Sequence, residues 1–338
     1  MDFSYTEEQQ MLQESVLKFV QNQYEFATRN QIIASDDGYS KEYWSLFAEL
    51  GWLTVPFDEA DGGFGGCAVD MVVMMEEFGK AMLVEPFAGT AILAGRLISE
   101  LAEGEARAAL IGQIMEGGLQ VSLAYAEAGS RFNAASVRTT AKVDGDNVII
   151  SGTKVAVLSG SGTDKLLVVA RESGGDTDRS GISVFLVDAN ADGVTMHTYA
   201  NVDGKSASEI RLSNVTVPSS ARIGLVGGAI EALESAIDRA TLASAAEALG
   251  AMESLLKKTV EYSKTRKQFG TAIGTFQALQ HRMADMFIEC QLARSIVVMA
   301  AMKMDSGEST SEKAKAVSAA KSRVGKAINK VGPEAVQI

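Results

Sequence analysis

The chain is short of several residues whose abundance would announce a class of protein. It carries 2 cysteines and 2 histidines among 338 residues. Cys67 and Cys290 stand alone and far apart, so they make neither a disulfide framework nor a metal knuckle, and they read as buried thiols in a reducing compartment. His197 and His281 are too few for a histidine-built metal site or triad. Only 4 prolines and 32 glycines argue against a disordered or fibrous chain. No apolar run reaches the roughly 18 residues of a membrane span. Met1-Asp2-Phe3-Ser4 has neither the basic region nor the apolar core of a signal peptide. Positive charge is scarce too, with a net charge of -12, which argues against nucleic acid and anionic lipid as partners. The expectation is a cytoplasmic protein in which local cations hold any anionic ligand against an unfavourable overall field.

What is present is ordinary globular material, 46% hydrophobic and 22% charged, in a chain long enough for two or three compact units. Three parts are expected. Residues 1–117 read as helical. Thr6-Glu7-Glu8-Gln9 is a capping box, with Phe3 and Tyr5 before it as staple residues, and Met11, Leu12, Val16, Phe19 and Val20 recur at helical spacing. Residues 118–222 change to period 2. A hairpin is expected from Val137–Val143 to Val148–Ile150 across a turn longer than two residues, with strands at Leu166–Ala170, Ile182–Val187, Val194–Thr198 and Ala207–Leu212. Strands so spaced predict a small antiparallel barrel or sandwich. Residues 223–338 are helical again, with long apolar-periodic segments at Ala229–Lys264, Phe276–Asp305 and Ala314–Val331, which predict a bundle. The fold class is α+β: helices, then a β domain, then a helical bundle.

Gly63-Phe64-Gly65-Gly66-Cys67-Ala68 fits a dinucleotide fingerprint by letter. That motif needs a preceding buried strand, and Leu53-Thr54-Val55-Pro56 is short and broken by proline, so a loop between helices is the better reading.

Thr265-Arg266-Lys267-Gln268-Phe269-Gly270, followed by Gly274-Thr275-Phe276-Gln277, joins the first two long helices of the third part. A guanidinium forks onto phosphate oxygens, Phe269 offers a ring, and Gly270 lets the backbone turn. The bland alternative is an αα-hairpin turn with a solvated Arg-Lys pair.

The stretch EYSKTRKQFGTAIGTFQALQHRMADM resembles the signature of the flavin-dependent acyl-CoA dehydrogenase family. GWLTVPFDEADGGFGG is similar to that family's N-terminal Gly-Gly loop. The resemblance spans nearly the whole chain and implies the same order of helices, β domain and bundle. Within the family it looks closest to the smaller subunits of bacterial two-component members, of the pimeloyl-CoA or steroid side-chain type. It implies FAD, an acyl-CoA thioester as substrate, an electron-transfer flavoprotein as partner, and an oligomer with FAD shared across an interface. The implied reaction removes an α-proton with a carboxylate and sends the β-hydride to flavin N5, the redox chemistry belonging to the cofactor.

Carried over by position, the resemblance places Arg266 on the pyrophosphate, Phe269 against the cofactor, and Gln277 and Gln337 in hydrogen bonds to it. Leu123-Ala124-Tyr125-Ala126-Glu127-Ala128-Gly129-Ser130 matches the segment whose backbone and hydroxyl meet the flavin ring. Tyr125 and Ala126 take those positions, with Ala126 where the family has Thr. Lys154-Val155-Ala156-Val157-Leu158-Ser159-Gly160 matches a second flavin segment, with Ala156 and Leu158 where Trp and Thr are usual and with plain core strand as the alternative for Leu158. The family pattern continues past Gln337-Ile338 into a Gly-Gly turn, so an incomplete C-terminal domain is expected.

The family base lies either in that later stretch or on the helix before the Arg-Lys-x-Phe-Gly turn. Matched through Leu249-Gly250, the helix position falls on Ala240, which has no acid. Glu247 lies seven residues on, two turns along nearly the same face, among small apolar residues that would raise its pKa. The alternative for Glu247 is a solvated position or a bundle salt bridge. The small residues at 240–248 also suggest room for a bulky or branched acyl group. Two rival functions stand beside the enzyme: a non-catalytic partner subunit of a heteromeric acyl-CoA dehydrogenase, and a scaffold without cofactor.

Overall fold

The computed structural model describes residues 5–159 and 161–338, so the staple expected of Phe3, the Met1–Ser4 segment and Gly160 lie outside the described residues. The chain folds as two compact units. One takes in the chain up to Arg29, Cys67–Leu83 and Thr241–Ile338; the other takes in Asn30–Gly66 and Val84–Ala240. Among the described residues, helices α1 (Glu7–Gln23), α2 (Phe26–Ile33), α3 (Lys41–Glu49), α4 (Ala68–Ala81), α5 (Gly95–Leu101) and α6 (Gly104–Met115) come first. Strands β1 (Val121–Ala124), β2 (Thr140–Asp144), β3 (Asn147–Leu158), β4 (Lys165–Arg171), β5 (Ile182–Asp188), β6 (Val194–Ala200), β7 (Ser206–Pro218) and β8 (Arg222–Ile223) follow. Then come α7 (Ile230–Thr265), the short strands β9 (Lys267–Gln268) and β10 (Thr271–Ala272), α8 (Gln277–Met304) and α9 (Thr310–Gln337).

In the first unit the expected capping box forms: Gln9 N donates to Thr6 Oγ1 at 3.2 Å, and Thr6 N donates to Gln9 Oε1 at 3.1 Å. Asp305, just past α8, accepts from the backbone of Ala68 (2.8 Å) and Val69 (3.2 Å), capping α4 from a remote segment. Two glycines let α4 and α7 touch backbone to backbone. A Cβ on Gly79 would stand 1.9 Å from the Glu247 carbonyl oxygen, and one on Gly250 would stand 1.9 Å from that of Glu76. Arg294 of α8 spans the neighbouring carboxylates, donating to Glu76 at 2.7 and 2.9 Å and to Glu253 at 2.5 Å. Cys290 is buried as expected, but Cys67 is only half-buried and donates its thiol to Asp305 at 3.0 Å. No helix of the described residues is long and apolar enough to cross a membrane.

The second unit is built on one eight-stranded sheet in the order β6-β7-β3-β2-β4-β5-β8, with β1 beside β4. The sheet is mixed rather than wholly antiparallel, because β1 runs parallel to β4 and β2 meets β4 in a parallel bridge. The chain between β1 and β4 holds the β2–β3 hairpin, long enough for the return that a parallel neighbour needs. The hairpin turn is tighter than the sequence suggested: Asp144 pairs with Asn147 across two residues, and Gly145 takes the positive φ (62°) such a turn demands. Residues 137–139 leave the ladder because the Val137 amide donates to the Asp176 carbonyl (2.9 Å) and the amides of Arg138 and Thr139 serve a carboxylate, as described below. Alternate residues of β3, β4, β5 and β7 fill one core, including Val148, Ile150, Val168, Phe185 and Ile210, while Phe57, Leu97, Val121, Leu167 and Leu233 fill another. The glycine loop folds onto Phe57, where a Cβ on Gly63 would meet the Phe57 carbonyl oxygen at 2.2 Å. Trp52–Thr54 before it is a 3-10 turn and not a strand, which disposes of the dinucleotide fingerprint.

Candidate functional site

In the first unit the Arg266 segment is a hairpin and not a plain helix turn. Lys267 and Gln268 pair with Ala272 and Thr271 around a two-residue loop, Phe269-Gly270, at φ 52° and 79°. Two successive positive φ values are what a type I′ hairpin requires, and a phenylalanine in that conformation is uncommon. The backbone closes on both sides: Arg266 N donates to the Tyr262 carbonyl (2.9 Å) and Ile273 N donates to the Arg266 carbonyl (2.8 Å). The turn displays the Phe269 ring, 94% exposed, edge-on to Phe276 at 6.3 Å. The Arg266 guanidinium is exposed and meets no acceptor among the described residues.

Gln277 is the exposed first residue of α8, and Gln337 is the exposed last residue of α9. Arg282 of α8 pairs with Glu334 of α9, which brings the start of one helix beside the end of the other. Arg266, Phe269, Gln277 and Gln337 are therefore gathered at one end of this unit. An unpaired guanidinium, an exposed ring and two side-chain amides suit a ligand that joins an anion to an aromatic system.

Glu247 is not part of that group. It precedes Arg266 by 19 residues of helix, a rise of about 28 Å. It is half-buried where α7 crosses α4, with its carbonyl against Gly79. The small residues around it are accounted for by that crossing: Ala243 and Ala246 are fully buried and Ala245 nearly so.

In the second unit Tyr125 and Ala126 follow the end of β1. Burial raises the Tyr125 hydroxyl above its ordinary pKa. The Ala126 carbonyl accepts from Val155 N at 2.9 Å, while the Ala126 N–H has no acceptor among the described residues. Ser122 Oγ donates to the Ser159 carbonyl at 3.1 Å, holding the end of β3 to β1. Between them β3 carries a bulge, for its pairing with β7 slips between Lys154 and Val157. Ala156 sits in the bulge at φ 51°, and both it and Leu158 are exposed. Leu158, at 44% exposed, is thus surface and not core strand.

Sequence reasoning passed over two residues here. Lys154 shares its strand parity with the inward-facing Val148 and Ile150 and is 0% exposed. Glu127, also buried, accepts from Lys154 Nζ (2.7 Å), Arg138 N (2.8 Å), Thr139 N (3.0 Å) and Thr139 Oγ1 (2.7 Å). These bonds draw Arg138 and Thr139 out of the expected strand, while Val137 N donates to the Asp176 carbonyl at 2.9 Å. The signal was legible: a lysine on the buried parity of a strand demands a carboxylate partner.

The whole length of the chain is similar to known proteins. Residues 6–118, 122–215 and 227–338 match the families described as acyl-CoA dehydrogenase N-terminal, middle and C-terminal domain. A 3-(aryl)acrylate reductase of Clostridium sporogenes is 30% identical over 82% of this chain and 74% of its own length. Among solved structures, butyryl-CoA dehydrogenase from Megasphaera elsdenii covers 100% of the chain and 88% of its own, with TM-score 0.90 and 25% identity. The ChsE4-ChsE5 complex from Mycobacterium tuberculosis contains a chain matched with TM-score 0.87 and 25% identity, covering 100% of this chain and 87% of that one.

Proposed function

The chain belongs to the acyl-CoA dehydrogenase family, and we propose that it is a FAD-dependent enzyme that dehydrogenates an acyl-CoA thioester between its α and β carbons. The observation that carries the reading is the coincidence of two open surfaces with that chemistry: the Arg266–Phe269 hairpin with Gln277 and Gln337, and the Ala126 N–H beside the exposed Ala156 and Leu158. Arg266 holds the pyrophosphate, Phe269 packs on the cofactor, and Gln277 and Gln337 hydrogen-bond to it. Tyr125 and Ala126 meet the flavin ring with their backbone. In an oligomer FAD is shared across a subunit interface, so the surfaces of the two units are separate contributions.

Bound FAD supplies the acceptor for the hydride that leaves the β carbon. Glu247 takes the α-proton, which needs a carboxylate close to the thioester and shielded from water. An electron-transfer flavoprotein receives the electrons. The small residues around Glu247 are taken up by the α4–α7 crossing, so they carry no argument for a bulky or branched acyl group.

Purification of the full chain tests the reading. A yellow protein with about one FAD per chain supports it, while a colourless protein contradicts it. A second reading, a non-catalytic partner in a heteromeric dehydrogenase, is favoured by Ala126, Ala156 and Leu158, which remove side-chain contacts to the ring. The similarity to a chain of the two-protein ChsE4-ChsE5 complex is in keeping with it. A colourless chain that yields a yellow complex with a co-purifying subunit would select that second reading.

A further inference from the structure

Tyr125-Ala126-Glu127 forms a strap that leaves the sheet after β1 and is tied down at each residue. Lys154 Nζ donates to the Tyr125 carbonyl (3.3 Å) and to Glu127 Oε1 (2.7 Å), and Val155 N donates to the Ala126 carbonyl (2.9 Å). The β3 bulge contributes to the same end. Its extra residue lets Val155 N point away from β7 toward the strap, with Ala156 at φ 51° absorbing the bend. Glu127 is tied in turn to Arg138 N, Thr139 N and Thr139 Oγ1. The N–H of Ala126 is left without an acceptor among the described residues.

We infer that Lys154, paired with Glu127, is a positioning residue that fixes the Tyr125–Ala126 backbone so that the Ala126 N–H is presented to the flavin ring of FAD. The inference rests on the FAD reading above. A fully buried ion pair is a poor source of stability, since apolar residues of like volume often replace one at no loss. What a Met–Gln pair could not reproduce is a group that donates to the Tyr125 carbonyl and the Glu127 carboxylate together. The need is acute in this chain because Ala126 has no hydroxyl, which leaves the backbone donor alone at that position. Burial pushes the Lys154 ammonium down to about 8 against the pull of Glu127, so the pair is costly to hold charged. Burial also acts to raise the Glu127 carboxyl, but Lys154 and Thr139 outweigh it and keep the group below its ordinary value.

The test compares the full-length wild type, Lys154→Met and the double variant Glu127→Gln/Lys154→Met. FAD affinity is read from flavin fluorescence quenching, and the thermal midpoint is read on the FAD-free proteins. The expected result is FAD binding weakened about tenfold or more in both variants, as the loss of a well-placed hydrogen bond implies. The double variant, with no uncompensated buried charge, should regain the wild-type midpoint without regaining FAD affinity. Should Lys154→Met fail to fold, the double variant supplies the same comparison. FAD affinity that stays at the wild-type value, or that returns together with the midpoint, overturns the inference and leaves a structural pair. A wild type that binds no FAD overturns the FAD reading itself, a result distinct from wild type and variants that all bind it equally.

Discussion

Gly79 of α4 lies against the backbone of Glu247 on α7, so closely that a Cβ on Gly79 would stand 1.9 Å from the Glu247 carbonyl oxygen. The contact locks the helix segment that bears the proposed base. Gly79→Ala has to separate the two helices, at a cost of about 2 kcal/mol or more. The thermal midpoint should fall clearly below that of the wild type, and an unchanged midpoint would show that the crossing yields easily.

Glu247→Gln keeps the size of the side chain and removes its basicity. Turnover of acyl-CoA should drop by about 10²–10⁴-fold, the usual contribution of a general base, while FAD content stays the same. Turnover at the wild-type rate would retire Glu247 as the base.

Arg266→Ala removes an exposed guanidinium that has no acceptor among the described residues, so stability should hardly change. FAD binding should weaken by about 10- to 100-fold, the worth of charge-assisted hydrogen bonds. Arg266→Lys should recover only part of it, because an ammonium lacks the planar fork. Titration of FAD into the FAD-free variants decides the matter.

Lys154 gives the fold a pH signature. Burial lowers it from 10.5 to about 8, so between those values the unfolded chain holds a proton that the folded chain has released. Folding therefore gains from this group as pH rises through that window, and the penalty for the buried charge is fully present below it. The urea midpoint of the wild type should improve relative to Lys154→Met between pH 8 and 10.5. A difference that stays constant across the window would contradict the assignment.

The sequence made the architecture legible wherever one period ran long enough. The helix read over Ala229–Lys264 is α7, Ile230–Thr265, and the strands from Leu166 onward are found within a residue or two, apart from a longer β7. The capping box at Thr6 and Gln9 could be read because both partners lie within one turn. Where the sequence misled, a remote partner had intervened. Val137–Thr139 alternates like a strand, yet the Arg138 and Thr139 amides go to Glu127 and the Val137 amide goes to the Asp176 carbonyl. The small residues near Glu247 resemble a cavity lining, yet Gly79 and Gly250 show a helix crossing. At the candidate site, the hairpin between Arg266 and Gln277 was visible as a turn, but its two positive φ values and the display of Phe269 depend on geometry that letters do not carry. Lys154 and Glu127, 27 residues apart, become a pair only once β3 returns beside the end of β1.

If this chain carries FAD and oxidises an acyl-CoA thioester, the thioester must reduce the bound flavin. Anaerobic addition of straight-chain and ring-bearing acyl-CoA thioesters to the purified yellow protein tests it most directly. The visible flavin band should bleach with at least one of them, and Glu247→Gln should prevent the bleaching. A protein that binds FAD stoichiometrically, yet keeps its flavin oxidised with every thioester, would contradict it.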